Sequence, residues 1–329
     1  MAWIGKAART LDGPRLGIAA ILAAVLLLSF SDALAKAAGE RFGLAQLVLL
    51  RSAVAAVLLA GWLLATRGRR GLRLVRPGWV WARSLCLAGM WLCYYAGLPA
   101  MSFALAAACH YTAPAWMALM TRALGEPVGP RGWAAAGLTL AGAALAIGPV
   151  GAVTPAILWP LAAAVFYALA GVVSWRRCRE ETAGAMALTL NLCLVLVAAA
   201  ALGGIAILGP GEGFVLALWP RLGPADWALA GALGAMLAVI ATAVALAYRL
   251  APPPVVGVFD TAYLGFAALW GAVLFAQTPG PREAAGLGLI ALGAGLAARP
   301  SGTKRRGARG GAAPGSSGPR GRPGVRDAR

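Results

Sequence analysis

TAGAMALTLNLCLVLVAAAALGGIAIL, residues 182–208, holds no Asp, Glu, Lys, Arg or His. About 20 apolar residues at 1.5 Å each cover a hydrocarbon layer of roughly 30 Å, so this run is long enough to cross a bilayer as one helix. A soluble amphipathic helix would show a polar residue every third or fourth position, and this run does not. Residues 16–35, LGIAAILAAVLLLSFSDALA, repeat the pattern with Asp32 as the one charge. Hydrocarbon offers no partner to an open backbone N–H or C=O, which leaves helices or closed barrels as spanning structures. The short alternating strands of a barrel are absent.

Working outward, ten such blocks are marked by Gly, Pro and charge punctuation: 16–35, 42–65, 78–98, 102–121, 132–149, 155–175, 182–208, 225–248, 255–276 and 284–298. The last is the shortest, about 22 Å at the helical rise. The composition agrees: 60% of residues are hydrophobic and only 12% charged, against about 25% charged in soluble domains. The five cysteines, Cys86, Cys93, Cys109, Cys178 and Cys193, show no metal-ligand spacing and read as free thiols. Lys6, Arg9 and Arg15 followed by an apolar run and Ala33-Leu34-Ala35 mimic a secretory signal with its cleavage site. Cleavage there would leave an odd number of spans, so the segment is read as the first helix.

The net charge of +18 is spread unevenly. With the N-terminus cytoplasmic, inside connections collect Arg67, Arg69, Arg70, Arg73, Arg76, Arg122, Arg131, Arg176, Arg177, Arg179 and Arg249. Outside connections keep Lys36, Arg41, Arg221 and Arg282. Lys/Arg bias of this kind sets orientation and puts both termini in the cytoplasm of an inner-membrane protein. The tail, 299–329, carries nine basic residues against Asp327 in a Gly/Pro/Ser-rich stretch. It is read as a disordered basic tail attracted to anionic lipid; no aromatic residues are interleaved as a nucleic-acid arm would require.

Leu124-Gly125-Glu126-Pro127-Val128-Gly129-Pro130-Arg131 is echoed by Phe275-Ala276-Gln277-Thr278-Pro279-Gly280-Pro281-Arg282. The same offset continues through Gly137 and Gly288, and Gly142 and Gly293. Each copy joins the fourth and fifth spans of its half. Five is odd, so the halves must be inverted, an arrangement by which carriers build two near-equivalent states around a midplane site.

Charges inside spans are functional candidates by default. Asp32 and Lys36, four apart, share a helix face and suit either a local ion pair or an outer gate. Arg51 lies about 13 Å into the second span and should face the bundle interior, where Asp32 or an anionic group of a substrate would pair with it. Arg83, near a span end, should snorkel. Asp260 can accept from a substrate amine or hydroxyl, or load a proton; Tyr263 is its structural alternative partner. Pro114 removes an N–H in the fourth span and should bend it at His110 and Tyr111. His110, the one histidine, is the candidate for proton coupling, against the commoner role of a hydrogen-bonded core imidazole. Trp91, Tyr94, Tyr95, Trp116 and Trp270 are placed with packing or the interface; Tyr111 and Tyr263 sit beside the polar positions. Glu126 is read as a surface ion-pair partner of Arg122 and Arg131.

No Ser/His/Asp set, GxSxG, HExxH or phosphate-cradling glycine loop is present in the sequence. The reading is therefore not an enzyme, with no cofactor, no metal and no nucleic acid, and with a small-molecule substrate and membrane lipids as partners. The alternatives are a membrane-embedded enzyme on lipid-linked substrates and a non-transporting scaffold. Ser31-Asp32-Ala33-Leu34-Ala35-Lys36, Leu50-Arg51, Thr112-Ala113-Pro114, Leu124-Gly125-Glu126-Pro127, Asp226-Trp227, Ala247-Tyr248-Arg249-Leu250-Ala251-Pro252 and Phe259-Asp260 together resemble the EamA family of the drug/metabolite transporter superfamily. The resemblance implies an all-α membrane protein with ten transmembrane helices as two inverted five-helix repeats, 16–149 and 150–298, flanked by cytoplasmic segments 1–15 and 299–329. It further implies a secondary transporter of a small organic metabolite, amino-acid-, nucleoside- or cofactor-like, working by alternating access. Two positions depart from the family pattern: Gln277 stands where the second repeat usually carries Glu, and Thr261-Ala262 separates Asp260 from Tyr263.

Overall fold

The structure is a computed structural model, described for residues 13–39, 41–148, 154–250, 256 and 259–298. Lys6, Arg9, Pro252-Pro253-Pro254 and the basic tail 299–329 lie outside the described residues. The principal helices are α1 Gly13–Ala38, α2 Leu44–Arg67, α3 Pro77–Gly97, α4 Phe103–His110, α5 Ala113–Ala123, α6 Pro130–Ile147, α7 Leu158–Arg177, α8 Ala183–Leu208, α9 Pro224–Leu250, α10 Ala262–Phe275 and α11 Pro281–Ala298. Pro77, Pro114, Pro130, Pro224 and Pro281 each occupy a first helical turn, where the missing N–H has no intrahelical partner to lose. Ser102 and Thr182 cap α4 and α8 by accepting from Leu105 N at 3.1 Å and Ala185 N at 3.3 Å.

The bundle is apolar both inside and on its surface, with a few polar residues buried in its hydrophobic core. Arg51, Asp32 and Gln46 are buried while Val57, Leu158, Leu196 and Val273 face outward. The span containing α8 is the most apolar, yet only 22% of its window is buried; its side chains are turned to lipid, since no core takes them. Exposed tryptophans form two groups. Trp79, Trp81, Trp133 and Trp175 sit at helix ends near the arginines, and Trp159, Trp219 and Trp227 near the opposite ends. Such amphipathic rings settle at the two membrane–water boundaries. The protein is a multi-pass membrane protein.

Among the described residues, six helical segments are long and apolar enough to cross a membrane: Arg15–Ala38, Leu44–Leu72, Phe103–Ala123, Pro155–Arg177, Ala183–Leu208 and Pro224–Val244. Length and apolar content alone thus support six of the ten expected crossings. Of the remainder, α3 carries Arg83 among its aromatics and α10 has 14 residues. The helices α6 and α11 have 18 residues each, about 27 Å. The expected tenth span therefore begins three residues early, at Pro281. The ninth is interrupted: Phe259 and Asp260 are helical, Thr261 turns, and α10 starts at Ala262. The fourth is broken rather than bent. Tyr111 and Thr112 form a turn between α4 and α5, and Pro114 starts the second piece instead of kinking one helix.

The packing has an exchange property. Take α1, α2, α3, α4–α5 and α6 as one set, and α7, α8, α9, α10 and α11 as the other. Swapping the sets turns the contact α1–α9 into α7–α3, α1–α10 into α7–α5, and α2–α9 into α8–α3, while α2–α8 and α6–α11 map onto themselves; all of these contacts exist. The bounds of α6 and α11 differ by the same offset as the Pro/Gly echo. At their crossing, a Cβ on Gly142 would lie 2.6 Å from Gly286 O, and one on Gly293 would lie 2.9 Å from Ala135 O. These two contacts interchange under that offset. Only glycine permits such backbone approach.

Candidate solute-binding site

Two ends of the bundle are defined by polar ties. At the arginine-rich end, Glu181 accepts from Val75 N and Arg76 N at 3.1 and 2.6 Å, and Glu126 pairs with Arg176 at 3.2 Å. Glu126 thus reaches across to the last turn of α7, a partner from outside its own sequence neighbourhood. At the opposite end, Ser102 donates to Glu283 at 2.9 Å, Phe103 N to Gln277 Oε1 at 3.3 Å, and Gln46 to Pro220 O at 3.0 Å. Gln277, where the family pattern has an acid, serves here as a neutral acceptor for an unpaired helix N–H of α4.

Between these ends lies a cavity of about 420 Å³, within the range of small-molecule pockets, about 300–1,000 Å³. Both helix sets contribute: Asp32 from α1, Trp91 and Tyr94 from α3, His110 to Pro114 at the α4–α5 break, Tyr167 from α7, Asp260 to Tyr263, and Ile290 to Ala297 from α11. Because Ala297 and Met117 lie toward the arginine-rich end of their helices, the cavity runs that way. A second cavity, about 690 Å³, lies at the opposite end against Lys36, Phe42, Phe214 and Phe275.

The layer between the two cavities is a directed hydrogen-bond chain. Asp32 is 2% exposed. Its Oδ1 accepts from Tyr95 and its Oδ2 from Tyr263, both at 2.7 Å. Arg51 donates through Nη1 to the Tyr95 hydroxyl. Tyr94 and Tyr263 hydroxyls are 3.1 Å apart; since Tyr263 spends its one proton on Asp32, Tyr94 is the donor. Hydrogen bonds to a charged group contribute about 1.5–3 kcal/mol each, and this chain joins α1, α2, α3 and α10. Arg51 is also stacked on Trp91 and Tyr95, 4.6 Å from each ring centroid, so its charge is held by π-faces as well as by Tyr95. Its Nε and Nη2 have no partner among the described residues.

The structure corrects several expectations. Arg51 faces the interior but does not line the cavity; it sits behind Trp91 and Tyr95, and it reaches Asp32 through Tyr95, not Asp260. Asp32 and Lys36 share a face but form no ion pair: Lys36 donates to Leu98 O at 2.8 Å and to Met101 O, with its ammonium 5.4 Å from the Phe275 centroid. Lys36 therefore ties down the α3–α4 connection, one helical turn beyond Asp32. Arg83 does not snorkel free; its Nε donates to Ser174 Oγ at 2.8 Å. Tyr263 belongs to Asp32 rather than to Asp260. His110 lines the cavity amid Tyr94, Tyr111 and Tyr167, with ring centroids 5.2–6.0 Å away, and its Nδ1 has no partner among the described residues. Asp260 lines it too, held among the described residues by Tyr111: that hydroxyl lies 3.0 Å from Asp260 O and 3.5 Å from Oδ2.

Trp91, Tyr94 and Tyr95, placed by sequence with the packing aromatics, are the wall and the bridge of the site. Their spacing of three and four residues puts them on one face of α3, which was the available signal. Tyr167 went unremarked. Tyr167-Ala168-Leu169-Ala170 of α7 echoes Asp32-Ala33-Leu34-Ala35 of α1, and Tyr167 and Asp32 both line the cavity. A second echo lies at the breaks. Tyr111-Thr112-Ala113 corresponds to Asp260-Thr261-Ala262, both Thr residues are helix N-caps of closely similar backbone shape, φ −71° and −66°, and the Tyr111 hydroxyl bonds across to Asp260.

Comparisons with known proteins accord with this geometry. A solved structure described as "Crystal structure of protein" is similar over 84% of this chain and 94% of its own, with TM-score 0.60 and 22% identity; the likeness is one of fold. No curated protein sequence matches the chain. The family model of the EamA-like transporter family matches residues 15–148, the stretch from the start of α1 through α6. Residues 15–148 of this multi-pass membrane chain are thus similar to the EamA-like transporter family, which belongs to the drug/metabolite transporter superfamily.

Proposed function

We propose that the chain is a secondary carrier that moves a small organic metabolite across the inner membrane by alternating access, with 16–149 and 150–298 as inverted five-helix repeats and both termini cytoplasmic. The observation that carries this reading is the pair of cavities on either side of one thin polar layer, built by helices that exchange neighbours between the two sets. Asp32 lines one cavity and Lys36 the other, so about 6 Å of α1 separates them. Opening the second cavity requires Asp32 to release Tyr263, Lys36 to release the α3–α4 connection, and Ser102 and Gln277 to part from their partners. The equivalent closure at the arginine-rich end is prepared by Arg83–Ser174 and Glu126–Arg176. A two-state exchange of this kind needs few broken bonds per state because the packing on either side is a near copy.

Orientation follows the arginine bias and puts the 420 Å³ aromatic cavity on the cytoplasmic side. The test is a metabolite-library uptake and efflux comparison between a deletion strain and a complemented strain, with reporter fusions to both termini. Flux of at least one metabolite that appears with the wild-type gene, together with cytoplasmic reporters, is expected. Complementation that changes no metabolite, or a terminus reporting outside, contradicts it.

A further inference from the structure

The two carboxylates on the cavity wall are not equivalent in charge. Asp32 is offset through Tyr95 by Arg51. Asp260 has no basic partner among the described residues, and its side chain keeps one long contact, 3.5 Å from Tyr111. Among the described residues no Lys or Arg lines this cavity: Arg51 is screened behind two aromatic rings, and Lys36 belongs to the other cavity. The rest of the wall near Asp260 is aromatic. Tyr111 and Tyr263 stack with centroids 5.8 Å apart, and Tyr94, Trp91 and Tyr167 continue the surface.

A lone carboxylate among π-faces in a low-dielectric pocket selects for positive charge. The ring quadrupoles present their negative faces to a cation, and the carboxylate supplies the charge-assisted contact. An anionic solute meets Asp260 with no cation on the described wall to offset the repulsion. Ile290, Ala294 and Met90 supply the apolar part of the wall, suited to a hydrocarbon body rather than a polyhydroxylated one.

Building on the carrier reading above, we infer that the solute is a small organic cation, a protonated or quaternary amine on an apolar or aromatic body, whose nitrogen docks on the Asp260 carboxylate beside Tyr111 and Tyr263. Asp260 is then the specificity-determining residue, and Asp32 a structural tie whose charge is already satisfied.

The test uses the full-length protein and three size-matched probes of different charge: benzyltrimethylammonium, phenylalanine and phenylacetate. Equilibrium dialysis of the labelled probes against detergent-purified protein measures binding, and saturable entry into proteoliposomes measures transport. Benzyltrimethylammonium should bind and enter, and the other two should do neither. D260N should weaken its binding roughly hundredfold, the loss expected when one partner of a desolvated charge pair is removed. D260E, which keeps the charge, should bind within about tenfold of wild type. Benzyltrimethylammonium that fails to bind, that binds D260N as well as wild type, or that is lost equally from D260E and D260N overturns the inference. So does preferential binding of phenylacetate or phenylalanine; their saturable entry would leave the carrier reading standing. Binding that depends on Asp260 without saturable entry upholds the site and removes the carrier reading.

Discussion

Asp32 and Asp260 are both acids inside helical segments, on the wall of one cavity, and each touches a tyrosine hydroxyl. Their surroundings differ sharply. Asp32 receives two short hydrogen bonds from different helices and feels Arg51 one residue away. Asp260 sits beside a helix break with a single long contact. The difference teaches that an ionisable residue in a membrane helix can be placed there for cohesion or for exposure. Count of satisfied oxygens separates the two, where depth in the sequence does not.

The comparison can be broken most forcefully at Asp32. Asp32→Asn leaves Arg51 buried without an anion and should lower stability by about 3–5 kcal/mol, the cost of orphaning one buried charge; reversible unfolding in detergent checks this. Arg51→Met should do comparable damage. The double substitution D32N/R51M should lose clearly less than the sum of the singles, because it removes both charges. Strict additivity would mean that Tyr95 does not connect them.

Tyrosine substitutions sharpen the contrast. Tyr263→Phe removes one of the short bonds to Asp32 and should cost roughly 1.5–3 kcal/mol, measured in the same unfolding assay. Tyr111→Phe loses a neutral bond to the Asp260 carbonyl and should cost about 0.5–1.5 kcal/mol. Equal losses in the two variants would erase the distinction between the acids. Smallest of all, Asp260→Asn should leave the unfolding midpoint within about 0.5 kcal/mol of wild type, since no buried pair is broken, while binding is lost. A large destabilisation by D260N would make Asp260 a structural tie as well.

How far these roles were legible in the sequence depends on the range of the interaction. Membrane class was legible from blocks such as 182–208, because length and apolarity act locally. The Pro/Gly echo between 124–131 and 275–282 was legible too, and it reappears as the mutual packing of α6 and α11, where Gly142 and Gly286 let two backbones touch. Asp32, His110, Tyr111, Pro114, Asp260 and Tyr263, singled out by their chemistry, all line the cavity. The pairings were not legible. Helical spacing reveals neighbours on the same helix, which suggested Asp32–Lys36, whereas the actual partners Tyr95 and Tyr263 come from helices far along the chain. Lys36 turned to the carbonyls of Leu98 and Met101 because the α3–α4 connection ends beside it. The chain break at Tyr111-Thr112 was visible only as a proline; that it separates two helices, and is copied at Thr261, follows from tertiary packing around the cavity.

The central claim is that one cavity is reached from both sides of the membrane in turn. The most direct measurement places a single reporter thiol, Leu28→Cys on the cavity wall, in a background with the five native cysteines replaced. Labelling by a membrane-impermeant maleimide is then followed separately from each face of sealed vesicles. The account predicts modification from both faces, with Asp32→Asn raising the rate from the face opposite the arginine-rich end, because the layer that closes it is weakened. Modification from one face only, in both the wild-type background and the D32N background, would mean a dead-end pocket and would contradict the account.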